Sequence, residues 1–211
     1  MPEFINIQKS DFNSVIWQIS ESVEMLQAVI PLSGYELDYL GSLKSELRKK
    51  QWLSYRNALM SIHGNTHIPI EYLSNGKPFL TDQSNHISVS HSGNYSQAIS
   101  SAEKRVGVDI EVFSDKAFRV RHKFMSKLEI ENAENRLPEK TAIYTWCAKE
   151  AMYKSMGIEG VIFAEDMTLF DLNFHSFTAK GKFLIKQSTV NFDIFFIEHS
   201  DFVSAMCCET L

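Results

Sequence analysis

Two short stretches of this sequence carry residues that can do chemistry together. Gly107-Val108-Asp109-Ile110-Glu111 offers two carboxylates two positions apart, and Trp146-Cys147-Ala148-Lys149-Glu150-Ala151-Met152-Tyr153-Lys154 offers a third beside two lysines. Oxygen-donor acids of this kind suit a hard divalent cation such as Mg²⁺, which binds through a few carboxylates and keeps positions for water and substrate phosphate. Lys149 and Lys154 would then neutralise phosphate charge that the metal does not reach. In the first stretch period-two alternation sends Val106, Val108, Ile110 and Val112 to one face and Gly107, Asp109 and Glu111 to the other, as a strand requires. In the second, positions four apart stack, so Trp146, Glu150 and Lys154 form one helical stripe with Lys149 beside it. If strand and helix meet, Asp109, Glu111 and Glu150 can surround a metal. Each stretch alone also has an ordinary reading: a solvated strand face, and an i,i+4 ion pair between Glu150 and Lys154. Their presence in one chain is what points to a site.

The elements that must position these residues can be read around them. From Lys44 to Ile62 the apolar pattern Leu43, Leu47, Trp52, Leu53, Leu59 and Ile62 predicts an amphipathic helix stopped by Gly64, with Lys44, Arg48, Lys49, Lys50 and Arg56 on its polar side. Ile70 to Leu73 and Lys77 to Leu80 flank Asn75-Gly76 as a hairpin. Ile87 to Ser90 and Gln97 to Ser101 read as strands, followed by the acidic strand from Arg105 to Phe113. Ser126-Lys127-Leu128-Glu129 is a capping box that starts a short helix, and Pro138 and Gly157 bracket the long helix carrying Glu150. Segments near Thr168 to Phe174, Lys182 to Lys186, Asn191 to Glu198 and Phe202 to Cys208 read as a meander. Trp52 and Arg56 repeat the spacing of Trp146 and Glu150 late in a long helix, an echo that either duplication or chance explains.

Other polar clusters have two readings each. Ser90-His91-Ser92-Gly93 can cradle a phosphate through side-chain and backbone donors, or be a plain polar turn. Asn75-Gly76-Lys77-Pro78 is explained by a hairpin turn, although Lys77 can also reach an anion. Lys116, Arg119, Arg121, Lys123 and Lys127, with His122 and no acid among them, form a basic segment that either steers an acidic partner or is a solvated face. Cys147 has no neighbouring His and no Cys-x-x-Cys partner, so packing is its expected role.

The bulk numbers narrow the classes. With 211 residues and 44% hydrophobic content the chain can build a real core in one large domain or two small ones. A net charge of −5 argues against a general nucleic-acid binder. No run of eighteen apolar residues and no signal-peptide pattern is seen, so neither a membrane span nor export is expected. Cys147, Cys207 and Cys208 offer no ordinary disulfide pair, which fits a reducing cytoplasm.

Gly107 to Glu111, Trp146 to Lys154, Ser90 to Gly93 and Gly76-Lys77-Pro78, in this order and spacing, resemble the 4′-phosphopantetheinyl transferases of the surfactin type. The motifs extend from about Arg48 to Gly157, and the strand-rich tail matches in character. The resemblance implies an α+β fold of two similar halves with pseudo-twofold symmetry, here 1–104 and 105–211, each a small antiparallel sheet packed with a long helix. It implies a cytoplasmic monomer with coenzyme A in the cleft between the halves. Its reaction would be Mg²⁺-dependent transfer of 4′-phosphopantetheine from coenzyme A to a serine of an apo acyl or peptidyl carrier protein, releasing 3′,5′-ADP. Carried over by position, Asp109, Glu111 and Glu150 match metal ligands, and Glu150 also the residue that deprotonates the serine. Lys154 matches the lysine that stabilises pyrophosphate charge; Lys149, read from its place beside the stripe, is expected as a further phosphate contact. Ser90 and His91 match phosphate contacts, Gly76, Lys77 and Pro78 the loop beside the nucleotide, and Arg48 and Lys49 basic residues for the 3′-phosphate. The basic segment from Lys116 falls where the family meets its acidic carrier. Two rivals stay open on the residues alone: a coenzyme A-binding module without transfer, and a Mg²⁺-dependent phosphohydrolase using the same carboxylates.

Overall fold

The computed structural model describes residues 4–135, 137–186 and 188–210. The chain is α+β and divides into two compact units, the first ending at Arg105 and the second beginning at Val106.

In the first unit the order is β1 (Phe4–Gln8), β2 (Asn13–Gln18), α1 (Val23–Gln27), α2 (Gly34–Ser42), α3 (Glu46–Ile62), β3 (Ile70–Tyr72), β4 (Pro78–Leu80), β5 (His86–Ser92) and β6 (Tyr95–Ser101). An antiparallel four-stranded sheet runs β1-β2-β6-β5, and β3 with β4 makes a separate two-stranded hairpin. Ser45 caps α3 by accepting from the Arg48 amide at 3.0 Å, which satisfies one of the donors a helix start leaves open. The apolar face of α3 lies on the sheet: Trp52, Leu53, Ala58 and Leu59 share a core with Val15 and Ala98.

Two expectations for α3 are corrected by this packing. Leu47, placed on the apolar face by periodicity, is 44% exposed, because it lies in the first turn, ahead of the buried stretch that begins at Gln51. Arg56, placed on the polar side, is fully buried. Its Nε donates to Glu36 Oε1 at 3.0 Å, and its guanidinium carbon sits 3.3 Å from the Trp52 ring centroid, so a carboxylate and a π face replace water. Glu36 is the N3 residue of a capping box on α2, bonded to the Ser33 amide at 3.0 Å and also to His67 Nε2 at 2.9 Å.

Burial alone would raise the Glu36 carboxyl, but the His67 hydrogen bond, the Ser33 amide and the Arg56 charge outweigh it and bring it down to about 2. A depressed folded-state value means stability that is present above the ordinary carboxylate pKa of 4.5 and lost as pH falls toward 2. At 1.36 kcal/mol per unit this amounts to roughly 3 kcal/mol. Urea denaturation between pH 5 and about 2 should therefore show a steeper acid loss in the parent than in Glu36→Gln. Parallel curves for the two proteins would contradict this account.

The second unit begins with β7 (Val106–Val112) and continues through α4 (Lys116–Arg119), a 3₁₀ turn at Arg121–Lys123, α5 (Lys127–Glu134), α6 (Pro138–Met156) and α7 (Phe163–Asp166). The meander follows as β8 (Met167–Asn173), β9 (Thr178–Ile185), β10 (Ser188–Glu198) and β11 (Phe202–Thr210). The sheet order is β7-β11-β10-β9-β8, all antiparallel, so the last strand of the chain pairs with the first strand of the unit. Asp109 lies opposite Ala205 and Glu111 opposite Val203 in that pairing. Helix α6 starts on Pro138, which needs no amide partner there, and ends on Gly157 in the left-handed conformation at φ +61°. It covers the sheet with Ala148, Ala151 and Met152, whose small or flexible side chains pack against Val203, Ala205 and Phe192 in one core.

Candidate functional site

Strand β7 and helix α6 approach each other at Gly107. A Cβ there would lie 1.9 Å from the Ala151 carbonyl oxygen and 2.9 Å from Ser155 Cβ, so only a hydrogen atom fits between strand and helix. That approach brings the acidic residues of β7 to the Trp146, Glu150 and Lys154 stripe of α6. Lys154 Nζ donates to Asp109 Oδ1 at 2.6 Å, and Trp146 Nε1 donates to Glu111 Oε1 at 2.8 Å. Glu150 lies between Trp146 and Lys154 on the helix, partly buried. The other face of β7 supplies Val106, Val108 and Ile110 to the interior, each 1% exposed or less.

Burial and mutual repulsion act on the charges of this cluster. Burial pushes the Glu150 carboxyl up to about 7, the Asp109 and Glu111 charges add to the shift, and Lys154 opposes it. Burial pulls the Lys154 ammonium down, but Asp109, its hydrogen bond and Glu150 outweigh that and hold it above its ordinary value. Burial first, and then the two strand acids, disfavour a third negative charge at Glu150. Cys147 Sγ donates to the Asp109 carbonyl at 3.2 Å, and burial holds the thiol well above its ordinary pKa, so it is a packing residue.

Among the described residues no three His, Cys, Asp or Glu side chains are close enough to form a ready metal site. The chemistry of the donor set still fits a hard cation: all three acids offer oxygens, and the Lys154 ammonium now stands on Asp109 where positive charge is favoured. Asp109, Glu111 and Glu150 are the residues that would hold such an ion.

Lys149 does not take the place given to it beside the phosphate. Its side chain is fully buried, and its three N–H donors go to Glu129 Oε2 at 2.8 Å, the Phe124 carbonyl at 2.8 Å and the Phe163 carbonyl at 3.1 Å. An ammonium has three donors, so none is left for a ligand. The helix register explains the difference: Lys149 is one position before Glu150 and therefore turns about a quarter of the circumference away, into the core. Its partner Glu129, read only as a capping-box residue, keeps that role through the Ser126 amide at 2.7 Å and also accepts from the Leu169 amide at 2.8 Å. No pattern in the sequence connects residues 129 and 149.

In the first unit the structure brings Arg48 and His91 together across 43 positions: Arg48 Nη1 contacts the His91 imidazole and also donates to Gln51 Oε1 at 3.2 Å. Gln51, which the sequence did not mark, donates its amide to the Gly93 carbonyl at 2.8 Å and so ties the Ser90 to Gly93 segment to α3. Ser90 is 5% exposed on β5. Lys49 is partly buried on α3, next to Arg48. Gly76 takes φ +81° in the hairpin turn, where a side chain would be strained. The Lys77 amide donates to Asn75 Oδ1 at 3.0 Å, and Pro78 opens β4.

Back in the second unit, Lys116, Arg119, Lys123 and Lys127 are exposed and Arg121 partly so, between β7 and α5. Arg119 pairs with Asp115 at 3.0 Å, and Arg121 lies 4.2 Å from the Phe118 ring centroid. No helix among the described residues is long and apolar enough to cross a membrane.

Residues 105–207 match the family model described as the 4′-phosphopantetheinyl transferase superfamily. The match spans nearly the whole second unit, including β7, α6 and the meander up to Cys207. No curated protein matches the chain.

Proposed function

Because the second unit of this chain belongs to the 4′-phosphopantetheinyl transferase superfamily, we propose that the protein transfers phosphopantetheine from coenzyme A to a serine of an apo carrier protein. Mg²⁺ would assist and 3′,5′-ADP would leave. The observation that carries this reading is the acid cluster itself, with Glu150 raised to about 7 by burial and by Asp109 and Glu111, and Lys154 beside it.

In the proposed reaction the serine oxygen attacks the phosphorus that bears the pantetheine arm, and the P–O–P bond to the adenosine 5′-phosphate breaks. Glu150 accepts the serine proton. A carboxylate that also holds a metal is a weak base, so Glu150 acts through a water or only as the hydroxyl arrives. Lys154 stabilises the negative charge that grows on the departing phosphate. Asp109 and Glu111 would join Glu150 in holding a metal, which would supply positive charge to neutralise phosphate oxygens. Arg48, Lys49, Ser90 and His91 are assigned to coenzyme A phosphates, and Gly76, Lys77 and Pro78 to the nucleotide. The exposed basic residues Lys116, Arg119, Arg121, Lys123 and Lys127 are assigned to the acidic carrier, whose approach their charge would accelerate.

The test is incubation with coenzyme A, Mg²⁺ and a panel of apo carriers, read by mass spectrometry of the carriers. A phosphopantetheine adduct on a carrier serine, with no 3′,5′-ADP formed when the carrier is left out, is the expected result. Nucleotide release without a carrier would instead mark a hydrolase. Coenzyme A binding with every carrier unmodified would leave a binding module.

A further inference from the structure

The contacts of Trp146 give this residue a task beyond packing, and the inference rests on reading Glu111 as a metal ligand. Glu111 is only partly buried at the end of an edge strand, where a side chain with three rotatable bonds samples several directions. Trp146 Nε1 donates to its Oε1 at 2.8 Å. The indole delivering that bond is itself caged. The Phe124 ring meets it edge-on with centroids 5.0 Å apart, and the Phe163 ring stacks on it at 5.9 Å.

The cage is tied to the helix that carries the indole. Lys149, three positions after Trp146 on α6, donates to the backbone carbonyls of Phe124 and Phe163, at 2.8 Å and 3.1 Å. Its third bond goes to Glu129 at 2.8 Å. A buried cation thus holds both cage walls, the walls set the plane of the indole, and the indole N–H sets the direction of a carboxylate on β7. We infer that Trp146 is the positioning residue of Glu111, and that the buried Lys149 acts on the site through the Phe124 and Phe163 walls of the Trp146 cage.

Groups that orient a ligand in this way change metal affinity by about 10- to 100-fold when removed, without touching the metal. Trp146→Phe keeps an aromatic ring between Phe124 and Phe163 and removes the N–H together with the five-membered half of the indole. Mn²⁺ titration of the full chain in the presence of coenzyme A, followed by electron paramagnetic resonance, should show binding weakened about tenfold. The Mg²⁺ concentration for half-maximal transfer should rise by a similar factor, while the rate at saturating Mg²⁺ stays within about threefold of the parent. Phe163→Leu, which leaves the N–H but removes the stacked wall, should weaken Mn²⁺ binding in the same direction by a smaller factor.

Unchanged Mn²⁺ affinity in Trp146→Phe overturns the positioning role, as does a fall in the saturated rate with no change in metal dependence. If Trp146→Phe fails to fold, Phe163→Leu decides, and Mn²⁺ affinity equal to the parent's overturns the inference there too. A parent protein that binds no Mn²⁺ with coenzyme A present sinks the metal-dependent reading and this inference with it. A parent that binds, beside a variant that binds equally well, sinks the positioning role alone.

Discussion

Glu150→Gln is expected to lower phosphopantetheine transfer by roughly a thousandfold while leaving coenzyme A affinity within a few-fold of the parent, because the amide keeps the shape and loses the base. The same substitution should not weaken the fold. Glu150 is raised to about 7 by burial and by the Asp109 and Glu111 charges, so its ionisation costs stability as pH rises from the ordinary carboxylate range through 7. Removing that charge at neutral pH should leave the melting temperature equal or higher. A thermal melt, a coenzyme A titration and the carrier assay on one preparation separate these effects. Transfer at the parent rate would take Glu150 off the catalytic list, and a collapse in melting temperature would refute the electrostatic account of the cluster.

Gly107→Ala is the second change of large effect. Its Cβ would stand 1.9 Å from the Ala151 carbonyl oxygen, a backbone atom that no rotamer can move aside, so α6 must retreat from β7. Overpacking of this kind costs about 1–3 kcal/mol, and the retreat displaces Glu150 and Lys154 from Asp109 and Glu111. A shift of about 1 Å between catalytic groups is worth on the order of 100-fold in rate. Gly181→Ala is the control, since the nearest atom to its Cβ is Met152 Sδ at 2.4 Å, the far end of a flexible side chain. Gly181→Ala should keep its activity within about threefold and lose less stability. Equal activity losses in the two variants, measured by the carrier assay, would show that strand–helix spacing at Gly107 is not what sets the site.

Much of the framework was legible because it depends on local rules. The Ser126 capping box, the Pro138 start, the Gly157 stop and the Asn75-Gly76 turn each act within a few residues of chain, and each appears where its motif stands. The alternation of β7 and the aromatic, β-branched tail identified strands for the same reason. The first 43 residues carry weaker signals: β1, β2, α1 and α2 are there, yet α1 has five residues and α2 nine, too short for a periodic pattern to stand out.

What no local rule carried was the direction of the polar side chains in the long helices. Arg56 reads as a cation on a polar helix side and Lys149 as a phosphate contact, yet both lie in the core because a distant carboxylate meets them, Glu36 for one and Glu129 for the other. Residue types, strand and helix periodicity, and a match of residues 105–207 to a family model are all properties of the chain read locally. Which cation meets the acid cluster and which lies behind it depends on contacts made only on folding. A buried charge is stable only opposite a partner, and those partners stand 20 residues away in sequence for both pairs. The chain must fold before Lys154 can be told from Lys149.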